Sequence, residues 1–325
     1  MSERWIEITA PGGPDTLQLR EGDLPPPGPG EVRMRHGAIG LNYIDTYHRS
    51  GLYPIEFPGQ IGLEAAGVVE AVGEQVSGLV PGDRVCTFGP LRGAYASARN
   101  LPAAHLLRTP DGVSDATAAA ILLKGATAEA LIERCAKVQP GWTVLVQAAA
   151  GGVGLLLVQW LKHIGARVIG TAGGPAKTAL VLQAGADEAI DYTTQDVAER
   201  VRALTGGAGV QVVFDGVGQA TWAGALGSVA RRGLIISFGN ASGPVTGVAL
   251  ASLAAAGSVF VTRPTVFDYY ADPAERAAGA ARLFDLAARG VLKAEIAQTW
   301  PLAEAATAHR ALEARQTTGS TLLLP

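Results

Sequence analysis

From Thr143 onward the apolar positions come in short bursts rich in β-branched residues. Longer stretches with a helical period separate them. The bursts Thr143–Gln147, Arg167–Thr171, Glu188–Ile190, Val210–Phe214, Leu234–Phe238 and Ser258–Val261 predict six strands. Leu155–Ile164, Ala176–Ala184 and Val197–Leu204 predict helices between them. Strands alternating with helices imply βαβ units and a parallel, doubly wound α/β sheet. The first third reads differently. Its apolar runs Val32–Ile39, Ala66–Val72 and Arg84–Phe88 are broken by Gly/Pro turns such as Pro25–Gly30 and Val80–Asp83. That pattern predicts an irregular β-rich domain. In the tail, Asp272 and Pro273 open a helix that runs to Arg289 and stops at Gly290. A second helix, Leu302–Ala314, precedes a strand, Ser320–Leu324, which is expected to return to the first domain.

The segment Val144–Gly154 (VLVQAAAGGVG) joins the first of the six strands to a helix through a glycine turn. Strand, glycine turn and helix in that order make a dinucleotide phosphate site. The glycines let the backbone approach a pyrophosphate, and the helix N-terminus offers it unpaired N–H groups and partial positive charge. Here the motif is A-x-x-G-x-x-G, with Ala148, Gly151 and Gly154 at the fixed positions and Gly152 and Val153 between them. A site for NAD carries an acid after the next strand, to bond the ribose 2′-OH. This chain reads Ile169-Gly170-Thr171-Ala172-Gly173-Gly174, and Lys177 follows. An ammonium attracts a 2′-phosphate that a carboxylate would repel, so the expected cofactor is NADPH.

Length and composition narrow the setting. A chain of 325 residues suits two domains. With 48% hydrophobic and 17% charged residues it reads as a soluble globular protein. The net charge of −3 and the scatter of its basic residues argue against nucleic acid as a partner. The uncharged stretches Val138–Leu161 and Gly233–Thr262 are interrupted by Gly and Pro, and read as buried strands rather than membrane spans. Two cysteines, Cys86 and Cys135, make no disulfide framework, which fits a reducing, cytoplasmic setting. Five dispersed histidines and the lack of any C-x-x-C pair give no metal signature. Neither a G-x-S-x-G elbow nor a Walker loop is present.

Along essentially its whole length the chain resembles the zinc-free NADPH:quinone oxidoreductases, relatives of zeta-crystallin in the medium-chain dehydrogenase/reductase superfamily. The segments that carry the resemblance are Ala38–Pro54, Gly62–Gly73, Gly82–Val85, Leu122–Ala128, Ala148–Gly154, Ser237–Val248, Val261–Pro264 and the terminal GSTLLLP. It implies a Rossmann domain over 125–264 and a GroES-like catalytic domain built from 1–124 and 265–325. Zinc-dependent relatives place a ligand cysteine where Asn42 stands and a ligand histidine at Leu63, before Glu64; no metal is therefore expected. The resemblance puts Asn42 and Asp45 in a loop at the nicotinamide end, with Thr127 of the K-G-x-T segment. It puts Gly173, Lys177 and Tyr192 around the 2′-phosphate. Phe238, Gly239, Asn240, Thr262, Arg263 and Arg315 line the cofactor. Tyr47 and Tyr53 lie near the quinone, while His48 is expected at the surface.

The implied activity is reduction of a quinone by NADPH, with electrons passing as a hydride or singly. Tyr47, Tyr53, Asn42 and Asp45 form the catalytic group. The tyrosine hydroxyls are candidates to stabilise the oxygen on which charge grows. Reduction of the C=C bond of enones and enals is the alternative. A non-catalytic NADPH-binding or RNA-binding crystallin-like role is a third. Relatives are often oligomeric, and a strand at the sheet edge invites pairing with a second copy, so a homodimer is expected.

Overall fold

The computed structural model describes residues 2–325. It forms two units. One, β-rich, holds the chain through Lys124 together with Asp272–Ala288 and Ala294–Pro325. The other, six-stranded, holds Gly125–Ala271 and Arg289–Lys293.

In the six-stranded unit, strand Thr143–Val146 is central, and Val144, Leu145 and Val146 have no exposed surface. On one side lie Arg167–Ala172 and then Glu188–Asp191. On the other lie Val210–Asp215, Val229–Ser237 and Phe260–Thr262. Every neighbouring pair is parallel. Numbered along the chain, the order is 3-2-1-4-5-6, the doubly wound arrangement. Its core joins Leu145, Ile169, Ile190, Val213 and Ile235 to Val201 and Ala225 of the covering helices. The fifth strand starts at Val229, five residues before the expected Leu234, because exposed Arg231 and Arg232 interrupt its apolar run. Arg232 takes a left-handed φ of 58°, and the ladder shifts register there.

In the β-rich unit, strand Glu31–Leu41 pairs with Glu64–Val72, with Ala98–Pro102 and with the terminal strand Ser320–Leu324. The tail does return to this unit: Leu323 pairs with Ile39, and both are fully buried. Val32, Met34, Ala65, Val69, Val85 and Leu101 complete the core around them.

Of the helices not visible in the periodicity, two bear on the site. Asp115–Glu129 is apolar on almost every side, so no amphipathic stripe marks it. It continues into a π-helical stretch, Ala130–Ala136. Tyr43–Ser50, expected as a loop, is a helix with Asn42 at its N-cap and Gly51 closing it in the left-handed region. The expected unit boundary at 264/265 also moves, because Val266–Ala271 and Arg289–Lys293 pack with the six-stranded unit. Arg134 stacks over Tyr269 and Tyr270, at 5.4 and 4.6 Å from their ring centres. Tyr270 Oη donates to Glu129 Oε2 (3.0 Å), and Lys293 N–H donates to Gln159 Oε1 (2.7 Å).

Candidate functional site

The glycine turn begins where strand Thr143–Val146 ends. Ala148 turns the chain at a left-handed φ of 51°. Ala149 N–H donates to Thr171 O (2.8 Å), and Thr171 Oγ1 to Gln147 Oε1 (2.6 Å), which ties the turn to the end of the next strand. Gly151 caps helix Gly152–Ile164, and Leu155 N–H, bonded to Gly151 O at 2.9 Å, closes its first turn. An α-helix leaves its first N–H groups without intrahelical partners, here those of Gly152, Val153 and Gly154. Gly154 has no room for a side chain: a Cβ would collide with Ala148 O and sit 2.7 Å from Ala149 Cα. The helix start is thereby pressed against the strand end, as a pyrophosphate cradle requires.

A second corner forms beyond strand Arg167–Ala172. Gly173 faces the Tyr192 hydroxyl so closely that a Cβ would lie 2.7 Å from it. Gly174 caps helix Pro175–Gln183 at φ 85°, and Lys177 stands in that helix's first turn, half-buried. A cation at a helix N-terminus has the wrong sign for the helix dipole. A phosphate placed there would carry the sign that both the lysine and the dipole favour. Asp191, next to Tyr192, is a carboxylate at this corner that sequence reading passed over. Its Oδ1 accepts from Thr193 Oγ1 (2.6 Å), Gly174 N–H (2.9 Å) and Thr193 N–H (3.0 Å), and these bonds hold its pKa below the ordinary value. It fixes the turn that carries Gly174.

The remaining predicted residues of this unit sit at strand and helix ends. Phe238, Gly239 and Asn240 follow strand Val229–Ser237. Gly239 packs on Gly216 so tightly that a Cβ there would overlap the Gly216 carbonyl. Arg263, just past Thr262 and its edge strand, donates to Ser237 O (2.9 Å) and Gly239 O (3.0 Å), which pins that loop. Thr127 lies on helix Asp115–Glu129.

In the β-rich unit Asn42 ends strand Glu31–Leu41 and starts helix Tyr43–Ser50. Its side-chain NH2 donates to Glu64 Oε2 (2.8 Å) and Gly40 O (3.3 Å). Glu64 is fully buried and also accepts from Leu123 N–H (2.6 Å) and Lys124 Nζ (3.3 Å). Asp45 is fully buried as well. Its Oδ2 accepts from Asn42 N–H (2.9 Å) and Tyr95 Oη (3.0 Å). This corrects the expected direct contact between Asp45 and a ligand: with no exposed surface, the carboxylate holds the residue that precedes its helix. Burial pushes its pKa up to about 7 against the opposing pull of those two hydrogen bonds. Tyr47 and Tyr53 do come together, edge to face with ring centres 5.2 Å apart, and Tyr43 joins them at 5.7 Å from Tyr47. His48 is buried rather than at the surface. Burial lowers its pKa to about 4, so it is neutral at physiological pH. Arg315 is exposed, at a left-handed φ of 58° after helix Ala305–Glu313.

Two family models match the chain. Residues 28–111 match the alcohol dehydrogenase GroES-like domain, and residues 152–275 match the zinc-binding dehydrogenase model. A quinone oxidoreductase of Pseudomonas aeruginosa is 50% identical over 322 residues, covering 98% of this chain and 99% of that one. The chain belongs to the quinone oxidoreductase family of the medium-chain dehydrogenases/reductases. Another relative is a 2-haloacrylate reductase of a Burkholderia species, 43% identical over 97% of this chain and 96% of that one. Among solved structures, the Escherichia coli quinone oxidoreductase complexed with NADPH superposes with a TM-score of 0.97 at 44% identity. It covers 99% of this chain and 100% of that one.

Within this family frame, sequence reading missed Lys124, Tyr95, Asp191 and His309, and read Glu64 only as the neighbour of an absent ligand. Except for Asp191, their partners lie far along the chain: 60 positions separate Lys124 from Glu64, and 214 separate His309 from Tyr95. Among the described residues, no three His, Cys, Asp or Glu side chains are grouped so as to hold a metal ion.

The Asp45 environment gives a testable pH dependence. The carboxyl's pKa is raised from 3.8 to about 7 in the folded protein. Its contribution to stability is therefore fully present below about pH 3.8 and is lost as pH rises through 7. Asp45→Asn has no such loss. Between pH 6 and pH 8 the wild type should fall relative to this variant by about 1.4 kcal/mol, read by denaturant unfolding at each pH.

Proposed function

We propose that this chain is an NADPH:quinone oxidoreductase that works without zinc. The observation that carries the reading is the corner of Gly173, Lys177 and Tyr192, in a chain that matches quinone oxidoreductases along its whole length. The N–H groups of Gly152, Val153 and Gly154 would hold the pyrophosphate. Lys177 and Tyr192 would hold the 2′-phosphate, with Gly173 giving it access. Asn42, Thr127, Phe238, Gly239, Asn240, Thr262, Arg263 and Arg315 would line the rest of the cofactor. Bound there, NADPH would supply the reducing electrons from its nicotinamide ring, as a hydride or singly.

The protein's share is binding, orientation and electrostatics. Asn42 would touch the nicotinamide end, with its amide held by Glu64 and its backbone N–H held by Asp45. The hydroxyls of Tyr47 and Tyr53 would donate to the acceptor oxygen as charge grows on it. A quinone needs little more, because its reduced form is aromatic. Zinc is not needed in this reading, since an amide at Asn42 and a hydrocarbon at Leu63 replace the ligand cysteine and histidine of zinc-dependent relatives. The 2-haloacrylate reductase among the relatives favours a second reading, reduction of an electron-poor C=C bond by the same cofactor.

No helix among the described residues is long and apolar enough to cross a membrane. We place the protein in the cytoplasm, where free Cys86 and Cys135 stay reduced. It would pair as a homodimer through edge strand Phe260–Thr262. Phe260 there is 63% exposed, and Leu250 of the preceding helix is 80% exposed. An unpaired apolar edge of this kind invites a second copy.

Lys177→Ala should weaken NADPH about ten- to a hundredfold in fluorescence titration and leave NADH unchanged, since a charge-assisted hydrogen bond contributes roughly 1.5–3 kcal/mol. Equal loss for both cofactors would remove the lysine from the 2′-phosphate. Over a panel of quinones and enones, quinones should give the highest kcat/KM, with no loss on chelator treatment and no stoichiometric zinc in metal analysis. Higher rates with enones would favour the second reading, and bound zinc would overturn the metal-free one. Light scattering should give a dimer that Phe260→Glu converts to monomer.

A further inference from the structure

Behind Asp45 runs a chain of buried polar groups that neither the glycine motif nor the family resemblance pointed to. Tyr95 Oη lies 3.0 Å from Asp45 Oδ2 and 3.0 Å from His309 Nε2. His309 Nδ1 lies 3.1 Å from Arg49 Nη1. Arg49 is gripped by both oxygens of Glu313 (2.7 and 2.9 Å) and by Gly12 O (3.1 Å). Asp45, Tyr95 and His309 have no exposed surface, and Arg49 has 2%.

The direction of every bond in this chain is fixed. A guanidinium can only donate, so His309 Nδ1 is the acceptor. Burial and the charge of Arg49 push the His309 pKa down to about 3, so the ring is neutral and its one proton sits on Nε2. That N–H donates to Tyr95 Oη. The tyrosine's single hydrogen is then left for Asp45 Oδ2, which also takes Asn42 N–H. Donors therefore point one way, from the Arg49–Glu313 pair to the carboxylate at the start of helix Tyr43–Ser50.

We propose that Tyr95 and His309, oriented by Arg49, are positioning residues that hold Asp45 ionised and thereby hold Asn42 in place for the nicotinamide. The proposal rests on the reading that Asn42 meets that end of the cofactor. A fastener between segments would be served better by apolar packing, since buried polar groups must all be satisfied. This chain instead leaves Asp45 Oδ1 buried without a partner among the described residues. What it accomplishes is to aim donors at one oxygen, which favours the charged form of a carboxyl that burial disfavours. Lys124 assists from the neighbouring ion pair and Glu64 opposes, so the charge state of Asp45 is a balance that one hydrogen bond can tip.

The test uses Tyr95→Phe, His309→Phe and His309→Gln, with Asp45→Asn as reference. The Asp45 carboxyl is followed by 13C NMR titration of ligand-free, aspartate-labelled protein, its signal assigned by loss in Asp45→Asn. Kinetics use NADPH with a 1,4-naphthoquinone. In Tyr95→Phe the Asp45 midpoint should rise by about one pH unit from its value near 7. At pH 7 the ionised fraction of Asp45 then drops from about a half to about a tenth, so kcat should fall about fivefold, while KM for NADPH changes less than threefold. His309→Phe should move both in the same direction. His309→Gln, whose amide can accept from Arg49 and donate to Tyr95, should restore most of both. An unchanged midpoint and kcat in Tyr95→Phe, with only a lower melting temperature, would make the chain a fastener and overturn the proposal. If Asp45→Asn keeps full kcat, the placement of Asn42 and Asp45 at the nicotinamide falls, and the proposal falls with it.

Discussion

The six-stranded unit depends on how closely helix Gly152–Ile164 approaches the end of strand Thr143–Val146. A backbone can present N–H groups to an anion only where no side chain intervenes and no carbonyl competes. Gly154 meets the first condition, because any Cβ there would strike Ala148 and Ala149. The left-handed turn at Ala148 and the anchoring of Ala149 by Thr171 meet the second. The parallel sheet then places every strand end on the same side as this turn. Gly173, Asp191, Asp215 and Phe238 all follow strand ends or close them for that reason.

The β-rich unit poses a different physical problem. It buries Asp45, Glu64, Arg49, Lys124 and His309 together, and each ionised group among them has lost water. Buried charge is tolerated only when it is paired and hydrogen-bonded. Glu64 meets this with three donors from Asn42, Leu123 and Lys124. Asp45 meets it less fully, with two donors on one oxygen and none on the other, and its pKa rises accordingly. Both carboxylates bear on Asn42, one through its side chain and one through its backbone. Asn42, standing where zinc-dependent relatives carry a metal ligand, is thus held from both its side chain and its backbone.

Much of this was legible in the chain, for identifiable reasons. The strands read as short apolar bursts bounded by turns, and five of the six expected in the middle third fall within two residues of their observed ends. The glycine turn is local, so eleven consecutive residues specify it. Helix Asp115–Glu129 escaped notice because a helix buried on all sides has no polar face to set its period. Helix Tyr43–Ser50 escaped because it is short and rich in polar residues that happen to be buried.

By itself the sequence determined the alternation of strands and helices and the glycine turn between the first strand and its helix, and it holds the missing acid and the Lys177 on which the proposed 2′-phosphate contact rests. These are properties of neighbours along the chain, set by backbone freedom and local charge. Only the tertiary structure decided which oxygen of Asp45 takes a proton donor, which tautomer His309 adopts and what Lys124 faces. The partners in those contacts lie 50 to 260 positions apart, and at such separations it is packing that brings charges together. Desolvation then fixes how strongly they act.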